Sequence, residues 1–134
     1  MKYCVLVFLC MAIPSVICVS DEIKKLIETL HTTCVAETGV DEALIKKTNS
    51  EKAIPDDEKL KCYLKCIMVQ SGCMSDDGII DEEATIAAVP DEHRSKSEPI
   101  IRACGTKVGA NPCENAWLTN KCYMEKAPED YILI

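Results

Sequence analysis

The sequence is short of positive charge, of membrane-length apolar stretches and of strand-like alternation, and each shortage removes a class of function. Against 22 Asp and Glu it has 15 Lys and Arg, a net charge of −7. Such a surface repels phosphate backbones and no basic patch offsets it, so nucleic acid is not an expected partner. Beyond residue 20 nothing reads as a membrane span or a basic amphipathic surface helix, so no membrane insertion is expected. No segment alternates apolar and polar residues long enough to argue for a strand, and there is no internal repeat or low-complexity tract. Catalytic signatures are missing as well. A secreted phospholipase needs a glycine-rich calcium loop and a His-Asp pair on a helix, and neither His31-Thr32-Thr33 nor His93-Arg94-Ser95 supplies them. Asp76-Asp77-Gly78 followed by Asp81, Glu82 and Glu83 lacks the one-three-five ligand ladder of a calcium loop, so it reads as a turn and an acidic helix start. The expectation is therefore no enzyme, no metal and no cofactor.

What is present begins with a leader. Lys2 precedes the unbroken apolar run from Cys4 to Ile13, which is too short to cross a bilayer. Pro14 breaks the run, and Cys18-Val19-Ser20 offers small residues for cleavage after Ser20. Residues 1–20 are thus expected to be a signal peptide and residues 21–134 a secreted, extracellular domain. Lys2 lies in the leader, so the net charge of −7 becomes −8 without it. Seven of the 10 cysteines remain, at 34, 62, 66, 73, 104, 113 and 122. In a secreted chain this reads as a disulfide framework with one thiol over, and paired thiols are not available to zinc. Six cysteines allow 15 pairings, and spacing alone does not choose among them.

Apolar periodicity fills the domain with helices. Ile23, Leu26, Ile27, Leu30, Cys34 and Val35 recur at three- and four-residue steps, predicting a helix over 21–38 stopped by Gly39. A short helix over 41–47 and a loop at Thr48-Asn49-Ser50 follow. Pro55-Asp56-Asp57 is a good helix start, and the third helix runs to about residue 71 with Leu60, Tyr63, Leu64, Ile67 and Met68 on one face. Cys62 and Cys66 lie one turn apart on that helix and cannot comfortably bond each other, so each ties it to a separate element. A fourth helix is expected over 81–89, a fifth over 91–107 bent or begun at Pro99, and a sixth over 113–126. Six helices in so small a domain give a marginal core, which three disulfides of roughly 2–4 kcal/mol each would offset.

The cysteine spacing carries a resemblance. Cys34 is followed by Cys62-x3-Cys66, then Cys104-x8-Cys113-x8-Cys122. This six-cysteine pattern resembles the insect odorant-binding protein family, of the pheromone and general-odorant group, across the whole mature chain. The resemblance implies an all-α, six-helix bundle stapled around an internal apolar cavity, with Cys34 paired to Cys66, Cys62 to Cys113 and Cys104 to Cys122. It also implies a carrier of small hydrophobic molecules, odorants or pheromones, with a chemoreceptor or a homodimer as further partner. Burying about 300 Å² of apolar ligand surface suffices for micromolar affinity.

Wall residues of such a cavity are expected at Leu64 and Met68 on helix three, Ile86 and Val89 on helix four, and Ile100, Ala103 and Val108 around helix five. Ala116, Trp117 and Tyr123 on helix six complete the set, with Cys73 the unpaired seventh cysteine. Met68 stands two residues after the third family cysteine, where several relatives have a hydroxyl, so polar selection falls to Tyr123 or Tyr131. The resemblance further implies that Tyr131-Ile132-Leu133-Ile134 folds back over the pocket mouth, with Tyr131 and Leu133 as contacts and an Ile134 carboxylate whose hydrogen bond loosens on acidification. His31 and His93 are candidates for a pH-dependent bias on that lid. Two rival readings remain at this point: a secreted interaction or signalling bundle, and a non-olfactory lipid carrier or scavenger.

Overall fold

The computed structural model describes residues 16–134; the expected leader lies outside them except for its last five residues, which begin the first helix. Helix α1 spans Val16–Thr38, α2 Glu42–Glu51 and α3 Glu58–Gln70. Helices α4 (Glu82–Ala88), α5 (Asp91–Cys104) and α6 (Pro112–Lys126) follow. Among the described residues no strand forms, only an isolated bridge between Met74 and Ile80. The fold is all-α, as the lack of period-two patterning implied.

Short polar side chains set the helix starts. Asp41, Asp57, Asp81 and Asn111 each stand just before a helix and accept a first-turn amide, those of Ala43, Leu60, Ala84 and Glu114, all at 2.9 Å. These amides have no partner inside their own helix, so each cap contributes about 1 kcal/mol. The cap explains why α3 begins at Glu58 and not at Pro55: the acceptor is on Asp57, and the Pro55 carbonyl is used by the Trp117 indole at 3.1 Å. Helix α2 runs through the residues expected to form a loop. Thr48 is fully buried, with its hydroxyl donating to the Leu44 carbonyl at 2.8 Å, so its polarity is satisfied without leaving the helix. Helix α5 continues through Pro99 but stops at Cys104, because Gly105 takes a positive φ of 51°.

At the centre α3 packs along α6. Leu60, Tyr63, Leu64 and Met68 from α3 and Ala116, Trp117 and Met124 from α6 are buried in one apolar cluster, joined by Cys34 of α1 and Ile45 of α2. The ammonium groups of Lys61 and Lys121 lie over the Trp117 ring, 4.6 and 4.5 Å from its centre. Disulfides link Cys34 to Cys66, Cys62 to Cys113 and Cys104 to Cys122. Helix α3 is thereby fastened to α1 and to the start of α6, and α5 to the far end of α6. The turn before α4 is clasped by Asn115, whose amide donates to Gly78 O at 3.2 Å and accepts from Gly109 N at 2.7 Å. Gly78 has φ +81°, and a Cβ there would lie 2.8 Å from Pro112 Cα, so the turn requires glycine at this position.

Candidate functional site

A cavity of about 190 Å³ lies between α4, α5, α6 and the segment after α6. Val89, Ile100, Ile101, Ala127 and the rings of Tyr123 and Tyr131 give it a mainly apolar wall, and Thr85, Ser97 and Asp130 supply its polar edge. Each wall is set by a distinct device. Helix α5 turns Ser97, Ile101 and Cys104 to one side, and the Cys104–Cys122 bond pulls that side toward α6. Arg94 of α5 reaches the end of α4, donating from Nε to Ile86 O at 3.3 Å and from Nη2 to Val89 O at 3.0 Å. The Val89 carbonyl lies past the last turn of α4 and the Ile86 carbonyl otherwise takes only the Val89 amide, so the guanidinium both caps α4 and ties it to α5.

The fourth wall is the chain beyond α6. Asn49 of α2 grips it through both atoms of its amide: Nδ2 donates to Leu133 O at 2.7 Å, and Oδ1 accepts from Leu133 N at 2.8 Å. Lys52 Nζ donates to Tyr131 O at 3.2 Å, and the Tyr63 hydroxyl donates to the main-chain oxygen of Ile134. Leu133 is buried against the core, while Ile132, pointing the other way, is exposed. His31 Nδ1 lies 2.8 Å from the Tyr63 hydroxyl and its Nε2 lies 3.3 Å from Glu42, which places one titratable ring directly behind the anchor of this segment. His93 is exposed at the start of α5 and has no part in it.

The polar groups at the wall are unequal. Tyr131 donates its hydroxyl to Asn120 Oδ1 at 2.8 Å, and Thr85 donates to Asp81 O at 2.7 Å. The Tyr123 hydroxyl is shut off from water and has no hydrogen-bond partner among the described residues. Burial pushes the Tyr123 phenol up to about 12, with Cys73 and Glu82 acting in the same direction, so it stays a neutral donor. Burial also raises Tyr131, and Tyr63 goes up to about 12 through burial and the neighbouring Glu42 charge.

Of the expected wall residues the structure brings Val89, Ile100, Tyr123 and Tyr131 together at this cavity. Leu64, Met68, Ile86, Ala116, Trp117, Cys73 and Leu133 are buried but do not line it. Met68 instead meets the Asn120 amide, 3.2 Å from its Sδ, and Trp117 is committed to Pro55 and the two lysines. Two expectations are corrected. Val108 is 76% exposed, because α5 ends at Cys104 and leaves it in the connecting loop. Ala103 is exposed because it lies on the side of α5 turned away from Ile101 and Cys104. Sequence reasoning missed Ile101, Ala127 and the clasp by Asn49; Ile101, next to Ile100 in a helical pattern, carried a usable signal.

This combination defines a class: small helical bundles, stapled by interlocking disulfides, with an apolar cavity at one side. The chain belongs to the PBP/GOBP family, whose sequence model matches residues 18–126. It is similar to general odorant-binding protein 69a of Drosophila melanogaster, 28% identical over 106 residues, which are 79% of this chain and 72% of the fly protein. The crystal structure of a medfly odorant-binding protein superimposes with a TM-score of 0.68 at 32% identity, covering 75% of this chain and 87% of the other. Odorant-binding protein 7 of Anopheles gambiae, solved with four disulfide bridges in complex with an azo compound, gives 0.72 at 27% identity, covering 81% and 89%.

Proposed function

We propose that the protein is a secreted carrier that takes one small hydrophobic molecule, of the odorant or pheromone kind, into the cavity between α4, α5, α6 and the chain after α6. The observation that carries this reading is an apolar space of about 190 Å³ in a chain with no catalytic signature. An engineered dry cavity of about 150 Å³ is enough to hold benzene, so this one suits a compact molecule of about eight to ten heavy atoms. Burying about 250 Å² of such a molecule gains about 6 kcal/mol, an affinity of tens of micromolar before any polar contact.

On this reading residues 1–20 are removed on secretion, the last residues act as a strap over the cavity, and exchange is pH-sensitive through His31, the titratable ring behind the strap's anchor. A chemoreceptor or a second copy of the chain would meet the loaded protein at its surface. The test is titration of the oxidised chain 21–134 with a fluorescent apolar probe. Saturable one-to-one binding is expected, lost when Ile100→Arg places a charge in the cavity and less dependent on pH between about 5 and 8 in His31→Gln. Binding that survives Ile100→Arg unchanged refutes the cavity as the site, and turnover of a bound ester would favour an enzyme instead.

A further inference from the structure

We infer a second binding site, for a small amphiphile with a carboxylate head, in the cleft between the α2–α3 connection and the end of α6. It stands apart from the carrier cavity and does not rest on that reading. The cleft holds about 330 Å³. Ala53, Ile54, Met124 and Pro128 give it an apolar lining, and Lys52, Lys121 and Glu125 are its charged residues. Two ammoniums against one carboxylate make this a cationic place in a chain of net charge −7. Both lysines are held by uncharged partners. Lys52 Nζ donates to Tyr131 O at 3.2 Å, and Lys121 Nζ lies 4.5 Å from the centre of the Trp117 ring. Among the described residues neither is ion-paired. Lys61 shows the contrast: it lies over the same ring, but its charge is taken up by Asp56 and Glu58 at 2.7 and 3.0 Å. Lys52 and Lys121 are half-buried, where an anion is attracted more strongly than in open water. An ammonium has three N–H donors, and Lys52 has used one of them on the protein. Lys52 also closes α2 with φ 53°, a left-handed cap that glycine fills with less strain.

A bare anion would use the ammoniums and leave the apolar lining wet, and a neutral hydrocarbon would do the reverse; an alkyl carboxylate uses both. Octanoate, 1-octanol and acetate separate these contributions. Trp117 is the only tryptophan and lies under Lys121, so its emission reports this cleft. In the oxidised chain 21–134 that emission should respond to octanoate at a concentration at least about tenfold lower than to 1-octanol or acetate. The response should weaken as salt rises from about 0.05 to 0.5 M. A fluorescent apolar probe in the carrier cavity should stay bound over the same range of octanoate. Lys121→Met keeps most of the stem and removes the charge; by calorimetry it should weaken octanoate about tenfold, and Lys121→Arg should restore binding to within about threefold. Both variants should bind the apolar probe as the unsubstituted chain does, which also shows that they fold. Octanoate affinity unchanged in Lys121→Met, a 1-octanol or acetate response as strong as that to octanoate, or no octanoate binding overturns the second site and leaves the carrier reading in place. Release of the probe in step with the Trp117 response makes the two sites one and overturns it as well.

Discussion

Replacing Asn49 by Ala isolates what holds the strap. The side chain makes two bonds to Leu133, of 2.7 and 2.8 Å, and is only half-buried, so its loss opens no core cavity. Two such bonds contribute about 1–3 kcal/mol together. If they act on strap opening, the open form becomes about 5- to 150-fold more frequent. Hydrogen exchange reads this directly. The Tyr131 amide donates to Ala127 O at 3.0 Å and is not itself bonded to Asn49, so its exchange reports opening of the segment and not the missing partner. Its rate in Asn49→Ala should rise by that factor while amides in α3 and α6 exchange as before. Ser50→Ala is the control, because the Ser50 hydroxyl donates only within α2, to Lys47 O at 3.1 Å. Probe affinity should fall less than exchange rises, since it is reduced only by the fraction of molecules that are open. A Tyr131 exchange rate within twofold of the unsubstituted chain would refute the claim that Asn49 fastens the strap.

Removing the Cys104–Cys122 bond by Ser at both positions should cost about 3 kcal/mol, the value for a loop of 18 residues, and should weaken probe binding because α5 supplies one wall; thermal unfolding and the same titration check both effects. At high pH the tyrosines set a limit. In the folded chain Tyr63 and Tyr123 ionise only at about 12, against about 10 when unfolded, so their contribution is complete below pH 10 and lost as pH rises through 12. Absorbance at 295 nm together with circular dichroism tests this: tyrosinate appearing near pH 10 in a chain that is still helical contradicts it.

Much of the fold was legible because its signals are local or categorical. The Cys62 and Cys66 pair, one turn apart, announced a helix clamped in two directions, and Leu60, Tyr63 and Leu64 announced its buried face. The strap was partly legible, since Tyr131-Ile132-Leu133-Ile134 is too apolar to stand in water unaided. Its clasp was not. Asn49 follows Thr48 and precedes Ser50, a run that reads as a loop, and its partner Leu133 is 84 residues away. The cavity wall was legible only in outline for the same reason: Ile100, Ile101, Ala103 and Val108 are similar in sequence, and what separates them is the rotation and end of α5, fixed by Gly105 and by a disulfide to another helix.

The staples are not shared out evenly, and that has a mechanical result. Two of them meet on α3 and bind it to α1 and α6, so that half of the molecule is a stiff block. The half around the cavity has one staple, and its other ties are non-covalent: Arg94 and Arg102 join α5 to α4, and Asn49, Lys52 and Tyr63 hold the chain after α6. A guest can therefore come and go by parting the softer half alone, and the block behind it keeps its shape while the doorway moves.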